Sequence, residues 1–222
     1  MAAVATAARA HGLPFVCVPA GTRNHLALDV GVDRHDLIGA LDAFTDGVER
    51  RIDVAEVNGL VFLNNVSLGI YGDAVHQPSY RDAKVRTLAK TAATVLGPSA
   101  RIPELQLLDD LGRKHPHPAV VLVSNNPYEL RHPRATGTRP RLDSGRLGIV
   151  VLDRPHAGAD APARVWTATR LTIDAAAPVH AGLDGEAVDL PASLEFAIRP
   201  GALRVRISSR HPGVSPSGRL SH

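Results

Sequence analysis

Two carboxylates separated by one glycine, Asp184 and Glu186 on either side of Gly185, form the group best suited to chemistry. Residues two apart in an extended segment point to the same side of the chain, so both carboxylates could face one cleft. Gly185 would leave room there for a substrate. An aspartate is ionised at neutral pH and can take up a proton during a reaction. The alternative is a plain surface turn, which an Asp-Gly pair favours.

A second candidate is the sequence Pro-Ala-Gly-Thr-Arg-Asn at 19–24. An apolar run precedes it and an amphipathic run follows, an order that predicts a strand, a tight turn and a helix. Gly21 has no side chain to keep an anion from the backbone, Thr22 adds a hydroxyl, and Asn24 suits a helix N-cap. The turn is therefore suited to hold a phosphate, with an ordinary strand-to-helix connection as the alternative.

Five segments of the chain, in order, resemble the diacylglycerol kinase catalytic domain family, which includes bacterial lipid kinases and sphingosine kinases. The turn at 19–24, with Leu26, Ala27 and Gly31 after it, resembles the second nucleotide-binding motif of that family. The other four segments are Phe-Leu-Asn-Asn-Val-Ser-Leu-Gly at 62–69, the loop at 138–147, Leu-Asp-Gly-Glu at 183–186 and Pro-Gly-Ala-Leu-Arg-Val at 200–205. Each is weak alone, but together they are specific and span nearly the whole chain.

The resemblance implies a lipid kinase that uses ATP and Mg²⁺ and transfers the γ-phosphate to a lipid hydroxyl such as that of diacylglycerol. Asp184 would be its catalytic base, and Glu186 would support the metal–nucleotide geometry. Gly21, Thr22 and Asn24 would bind the nucleotide. The cleft between two domains would be lined by Asn65, Ser67 and Gly69, for which capping of a strand end is an equally good interpretation.

The same resemblance implies an α/β plus all-β architecture. A partial α/β nucleotide-binding domain at 1–47 would precede a β-sandwich lipid-binding domain at 48–210, and the hydrophobic period does change from 3.6 to 2 after Gly47. From His211 onwards Pro, Gly and Ser dominate, which predicts a disordered tail at 211–222.

Three features depart from the family pattern. His25 stands where an aspartate is usual, and Ser144 replaces one of two paired aspartates beside Asp143, so we expect no structural metal at that loop. The Gly-Gly-Asp-Gly-Thr loop that grips the phosphates in the family is not present before the first helix. We therefore expect a start that was assigned too late, a truncated chain or a lost half of the nucleotide site.

Two other functions remain open on this pattern. NAD kinase shares the architecture, although the form of the motif at 19–24 favours a lipid kinase. A non-catalytic remnant that binds a lipid or a partner protein would also fit a chain without the phosphate loop. A remnant would have no ATP affinity that depends on Mg²⁺.

The elements around these residues follow from periodicity and turn signals. Asn58-Gly59 between two apolar runs predicts a hairpin, and Pro200-Gly201 predicts a turn. His115 and His117 lack a third ligand at metal spacing, so we expect no metal there. Helices are predicted at 2–10, 33–44 and 83–96, and strands at 15–19, 51–57, 60–67, 105–108, 119–124, 147–152, 164–174 and 194–207.

Bulk properties exclude several classes of protein. The 222 residues are 44% hydrophobic, which supports a packed core, and the net charge of +3 without a polybasic cluster argues against a nucleic-acid partner. Cys17, the single cysteine, lies in an apolar run and should be buried without a disulfide. The sequence contains no run of 18 apolar residues, so no transmembrane helix is predicted. We expect a cytoplasmic protein, with peripheral contact to a membrane surface left open.

Overall fold

The computed structural model describes residues 1–21, 24–69, 104–115, 118–130, 137–153 and 163–218. Its helices are α1 (Ala2–Ala10), α2 (His25–Val30), α3 (Leu37–Leu41) and a 3₁₀ turn at Asp42–Phe44. Its strands are β1 (Phe15–Val16), β2 (Gly47–Val57), β3 (Leu60–Phe62), β4 (Asn65–Leu68), β5 (Leu105–Asp109), β6 (Lys114–His115), β7 (Pro118–Asn125), β8 (Leu147–Asp153), β9 (Ala163–Ala168), β10 (Arg170–Ala175), β11 (Val179–Leu183), β12 (Glu186–Leu190) and β13 (Ser193–Ser208).

Two antiparallel sheets form a β-sandwich, as the sequence predicts. The first has the strand order β3-β2-β13-β10-β5-β6, and the second has the order β12-β11-β4-β7-β8-β9. The sandwich core between them is built from alternate residues of the facing strands, which is the period-2 pattern of a half-buried strand. Phe62 and Phe196 meet edge to face in this core, with ring centroids 6.3 Å apart.

A small α/β part covers the other face of the first sheet. Its strand β1 joins that sheet in parallel to β13, with Phe15 paired to Val205. Helices α1 and α2 pack behind the sheet in a second, N-terminal core that includes Ala5, Ala8, Cys17, Leu26, Val30, Ile52, Val54, Leu203 and Ile207. Because neighbours on a strand face opposite sides, Phe62 lies in the sandwich core while Val61 and Leu63 lie in the N-terminal core.

The predicted helix at 33–44 is shorter than the sequence suggests. It begins after Asp36, whose Oδ1 accepts a hydrogen bond from the Gly39 amide at 2.8 Å, and not after Asp33. The face predicted to be apolar is largely exposed, with Ile38 at 72% and Phe44 at 61%, because Gly39 and Ala40 are the buried residues of α3.

Two further expectations differ from the structure. Pro200-Gly201 is not a turn but a register shift inside β13, where the Gly201 amide donates to Asp53 Oδ1 at 2.8 Å. Residues 211–218, expected in a disordered tail, pack against the molecule, and Ser215 and Ser217 are buried. Thr138 Oγ1 donates to Ser217 Oγ at 2.8 Å.

Three predicted strands differ from the structure: the strand at 15–19 is limited to β1, the one at 60–67 is divided into β3 and β4, and the one at 164–174 is divided into β9 and β10, which belong to different sheets. Other predicted elements are confirmed or fall outside the described residues. The hairpin at Asn58-Gly59 is confirmed, and so are the helix at 2–10 and the strands near 105, 119 and 147. The predicted helix at 83–96 lies outside the described residues. Within the described part of the chain, no helix is long and apolar enough to cross a membrane.

Candidate active site

Asp184 lies in a two-residue hairpin loop, not in an extended segment. Strands β11 and β12 pair up to Leu183 and Glu186, and Asp184 and Gly185 between them have φ of 51° and 94°. Two successive positive φ values are typical of a type I′ turn, which Asp-Gly adopts readily. The expectation that both carboxylates project from one side of an extended strand is therefore wrong, since the turn intervenes. Glu186 is exposed at the first position of β12.

The Asp184 carboxylate binds three successive backbone amides of the connection between β3 and β4. Oδ2 accepts from Leu63 N at 2.9 Å, and Oδ1 accepts from Asn64 N at 2.7 Å and from Asn65 N at 3.2 Å. The Asp184 amide returns a hydrogen bond to the Asn65 carbonyl at 2.9 Å. The hairpin loop and the 63–65 connection are thereby held together.

Opposing effects act on the pKa of Asp184. Burial disfavours the charged carboxylate and raises the pKa, while the Leu63 and Asn64 amides and the charge of Arg139 lower it. Burial prevails, so the pKa of Asp184 lies above its ordinary value. A raised pKa makes this carboxylate a stronger base than a solvent-exposed aspartate.

Arg139 lies behind the same connection with its side chain completely buried. Its Nε donates to Asp29 Oδ2 at 2.7 Å, and its backbone amide donates to Asp29 Oδ1 at 3.0 Å. Burial works against the charged guanidinium, but the facing Asp29 carboxylate outweighs it and raises the pKa of Arg139 above its ordinary value. The guanidinium is therefore a permanent buried charge.

The other donors of Arg139 reach the 63–65 connection and the end of β7. Nη1 donates to the Leu63 carbonyl at 2.6 Å and to the Asn125 carbonyl at 2.7 Å, and Nη2 donates to Asn64 Oδ1 at 3.1 Å. The guanidinium also lies over the Tyr128 ring, 5.7 Å from its centroid. We call the set Asp29, 63–65, Tyr128, Arg139 and Asp184 the Asp184 network.

A mainly apolar groove borders this network. Asn65 Nδ2 donates to the Tyr128 hydroxyl at 2.9 Å, and Tyr128 lines a groove of about 270 Å³ on the outer face of the second sheet. The groove is also lined by Pro127, Leu130, Val150, Val165 and Trp166. Asn65 and Ser67 lie two positions apart in β4, so these two predicted cleft residues share one face of that strand. Gly69 directly follows β4 and has a φ of 88°, so it is not part of that face.

The predicted phosphate turn connects to the network through α2. Asn24 precedes α2 with φ of 51°, and its side chain folds back to accept from the Gly21 amide at 2.8 Å and to donate to the Pro19 carbonyl at 2.9 Å. It does not cap the helix, as the sequence had suggested. An anion at Gly21 would have to displace the Asn24 side chain in this conformation. Thr22 lies outside the described residues.

The remaining candidates are separate from the network. Asp143 pairs with Arg141 on the surface at 2.9 Å, and Ser144 Oγ donates to Asn126 Oδ1 at 2.6 Å. His115 stacks on Trp166, and His117 lies outside the described residues. In the part of the chain that the structure describes, no group of three or more His, Cys, Asp or Glu side chains could hold a metal ion.

Sequence reasoning found Asp184 and Asn65 but missed Asp29, Tyr128 and Arg139. The Thr-Arg-Pro-Arg run at 138–141 belonged to a segment with family resemblance, yet nothing in it distinguished Arg139 from the exposed Arg141. Asp29 lay in a run that otherwise reads as the apolar face of a helix, and a buried aspartate there was the available signal.

Comparison with known proteins agrees with these motifs. Residues 1–57 match the sequence model of the diacylglycerol kinase catalytic domain. A diacylglycerol kinase of Bacillus subtilis (strain 168) is 43% identical over 47 residues, which are 21% of this chain and 16% of that protein. A probable YegS-like lipid kinase of Pseudomonas aeruginosa is 27% identical over 214 residues, covering 88% of this chain and 68% of that protein. The chain is therefore similar to the diacylglycerol kinase catalytic domain family, by the family model over residues 1–57 and by a probable lipid kinase along most of its length.

Solved structures support the fold expected for the diacylglycerol kinase family. A diacylglycerol kinase from Bacillus anthracis str. Sterne has a TM-score of 0.56 at 16% identity, covering 86% of this chain and 66% of that chain. A further structure from the same organism has a TM-score of 0.60 at 19% identity, covering 85% of this chain and 67% of that chain. The chain thus spans about two thirds of the length of these relatives.

Proposed function

We propose that the protein is an ATP-dependent lipid kinase that transfers the γ-phosphate of ATP to a lipid hydroxyl such as that of diacylglycerol. The observation that carries the proposal is the Asp184 network. It joins the helix after the phosphate-type turn to the 63–65 connection and to the Asp-Gly-Glu hairpin, all of which resemble family motifs. The similarity to the diacylglycerol kinase catalytic domain and to a probable lipid kinase supports phosphoryl transfer as the reaction class.

Asp184 Oδ2 is the atom that would take the proton. A carboxylate offers about four acceptor positions. The Leu63 amide uses one position on Oδ2, and the Asn64 and Asn65 amides use two on Oδ1. Oδ2 keeps a position at which the lipid hydroxyl could donate. As that hydroxyl oxygen bonds to the γ-phosphorus, its proton would pass to Oδ2 and ADP would leave.

The described residues do not by themselves form a magnesium site. Both oxygens of Asp184 already accept amide hydrogen bonds, which makes it a poor ligand for a hard cation. Glu186, exposed two residues further on, is the carboxylate of the motif that could contact a Mg²⁺ ion carried by the nucleotide. Mg²⁺ would there neutralise phosphate charge.

The groove beside Tyr128 suits the acceptor. Its apolar lining would bury part of an acyl chain, and its position next to Asn65 would place a lipid hydroxyl near Asp184. Because a diacyl lipid resides in a bilayer, the protein would act as a peripheral enzyme at a membrane surface.

The test is transfer of labelled phosphate from Mg²⁺-ATP to diacylglycerol in mixed micelles. We expect wild-type turnover and a loss of about 10²–10⁴-fold in kcat for Asp184→Asn, because the general base is lost. Since the asparagine amide would face a backbone N–H donor, folding is checked by circular dichroism and nucleotide binding is measured by calorimetry. Nucleotide binding should be retained.

Asp189→Asn is the matched control. Asp189 is an exposed aspartate on the same hairpin, paired with His180, and its replacement should leave kcat unchanged. Full activity of Asp184→Asn would show that Asp184 is not the base. Phosphorylation of NAD in place of the lipid, or no nucleotide binding that depends on Mg²⁺, would contradict the proposed function itself.

A further inference from the structure

Arg139 uses four of its five guanidinium N–H donors on partners from three distant parts of the chain. Asp29 belongs to α2, Leu63 and Asn64 to the connection between β3 and β4, and Asn125 to the end of β7. All four contacts are direct hydrogen bonds, with donor–acceptor distances from 2.6 to 3.1 Å, and the arginine side chain is fully buried.

The 63–64 peptide segment is held from both sides. Its amides donate to Asp184, while the Leu63 carbonyl and the Asn64 side chain accept from Arg139. A rotation of this segment that weakened the Arg139 contacts would also turn its amides away from the carboxylate. The orientation of the Asp184 carboxylate therefore depends on Arg139, although Arg139 makes no hydrogen bond to that carboxylate.

We propose that Arg139 is the positioning residue of the Asp184 site, which fixes the 63–65 amides against the Asp184 carboxylate and ties them to α2 through Asp29. The catalytic consequence of this inference rests on the proposed function. The contacts of Arg139 are independent of that function.

The planar fork of arginine is what the geometry requires. Nε, Nη1 and Nη2 point in fixed directions in one plane and reach three elements at once, whereas a lysine would supply a single ammonium group. Burying such a charge is unfavourable unless it is fully paired, and a hydrophobic residue could fill the same volume without that desolvation. The arginine thus confers a defined arrangement of three elements more than it confers stability.

The variants separate positioning from simple charge pairing. Arg139→Met alone would leave the buried Asp29 carboxylate without its guanidinium partner and should strongly destabilise the fold. The paired variant Asp29→Asn with Arg139→Met removes both charges, and its folding should recover. Arg139→Lys keeps the charge without the fork. Arg113→Met serves as the control, since Arg113 is 54% exposed and pairs with Asp109 outside the Asp184 network.

Kinetics give the first readout. In the paired variant we expect kcat to fall on the order of 100-fold through loss of geometry, with a much smaller change in KM for the lipid. The acid limb of the kcat–pH profile should move to higher pH, because the amide donors and the Arg139 charge that lower the pKa of Asp184 are weakened or removed. Arg139→Lys should not restore kcat, and Arg113→Met should match wild type.

A second readout does not depend on activity. Hydrogen exchange of the Leu63, Asn64 and Asn65 amides and ¹³C NMR titration of the Asp184 carboxyl are followed in the whole chain. We expect faster exchange and a higher pKa of Asp184 in both the paired and the lysine variants. Unchanged exchange and titration in either variant would overturn the positioning role. If both change while wild type phosphorylates no lipid, the positioning role stands and the proposed function falls.

Discussion

The buried aspartates of this chain differ in the groups that compensate their charge. Asp29 faces a buried guanidinium, Asp184 faces three backbone amides, and Asp109 is enclosed by its own hairpin. These surroundings set what each can do. Asp109 has all its acceptor positions used and no exposed side-chain surface, so it stabilises the fold, whereas Asp184 keeps an acceptor position.

Asp109 should make stability depend on pH. Its carboxylate accepts from Leu111 N at 3.0 Å, from Arg113 N at 2.9 Å, from Arg113 Nε at 2.7 Å and from His115 Nε2 at 3.1 Å. Burial alone would raise the pKa of Asp109, but these hydrogen bonds outweigh it and hold the pKa well below its ordinary value. The stabilisation is therefore complete above the unfolded pKa, near 3.9, and is lost as the pH falls below it.

The measurement is the free energy of urea unfolding of wild type and Asp109→Asn from pH 7 to pH 3. We expect wild type to be more stable by about 3 kcal/mol at pH 7, from several charge-assisted hydrogen bonds. The difference should stay constant down to about pH 5 and shrink below pH 4. A difference that grows as the pH falls would contradict the assigned role, and Asp189→Asn, on an exposed aspartate, should show no such dependence.

At this scale the sequence could identify Asp184 but not Arg139. Asp184 belongs to a motif of four consecutive residues at 183–186, so its candidate role could be inferred from a local pattern. The partners of Arg139 lie 110, 76, 75 and 14 positions away along the chain. No local pattern records contacts of that separation, because they arise only when the two sheets and α2 have packed.

At the scale of elements, the two hairpin loops Asn58-Gly59 and Asp184-Gly185 share the same backbone geometry. The first was predictable because Asn-Gly lies between strands with strong apolar alternation. The second was predicted only as the alternative to an extended segment, since β11 and β12 are short and place Ala and Gly among their central positions. The turn predicted at Pro200-Gly201 is wrong for a different reason. The Asp53 carboxylate on neighbouring β2 binds the Gly201 amide and keeps the bulge inside the strand.

Substitutions at Gly69 and Gly59 allow the cost of backbone strain to be measured separately from the cost of a steric clash. Both have positive φ, 88° and 81°, so alanine is strained at either position. A Cβ on Gly69 would lie 2.1 Å from the Ala119 carbonyl oxygen, whereas a Cβ on Gly59 would have nothing within 4 Å. We expect Gly59→Ala to cost about 1 kcal/mol. Gly69→Ala should cost about 3 kcal/mol or more, because β4 and β7 must separate.

Urea denaturation of the two variants decides this comparison. Equal costs would mean that β4 can shift past β7 without loss, and the face of β4 that carries Asn65 would then not be rigid. If the larger cost at Gly69 is found, the proposed kinase activity of the folded protein should also fall, while Gly59→Ala should keep it.

At the scale of the whole molecule, β13 joins the two cores. Its first half contributes Leu194, Phe196 and Ile198 to the sandwich core, and its second half contributes Leu203, Val205 and Ile207 to the N-terminal core. The change of core coincides with the register shift between Arg199 and Leu203. The N-terminal part that the sequence predicts to end near residue 47 therefore packs on β13, a strand that lies wholly in the predicted second domain.

We expect the two cores to unfold as one cooperative unit, and the chain carries one native probe in each. Trp166 packs against the sandwich core, while Cys17 lies in the N-terminal core at 7% exposure. Burial raises the pKa of Cys17 to about 12, so its thiol should be unreactive in the folded protein at pH 8. Tryptophan fluorescence and pulse labelling of the thiol should then give the same urea midpoint.

Leu203→Ala tests the connection directly, because Leu203 is buried in the N-terminal core just beyond the register shift. Removal of its side chain should destabilise that core by about 2–5 kcal/mol. If β13 couples the two cores, the loss of stability reaches both of them. The urea midpoint from Trp166 fluorescence then falls as far as the urea midpoint from Cys17 labelling. A labelling midpoint that falls alone would show that residues near the N-terminus form an independent unit. In that case the Asp29–Arg139 pair would not hold α2 to the sandwich against unfolding, and the predicted boundary near residue 47 would be a true domain boundary.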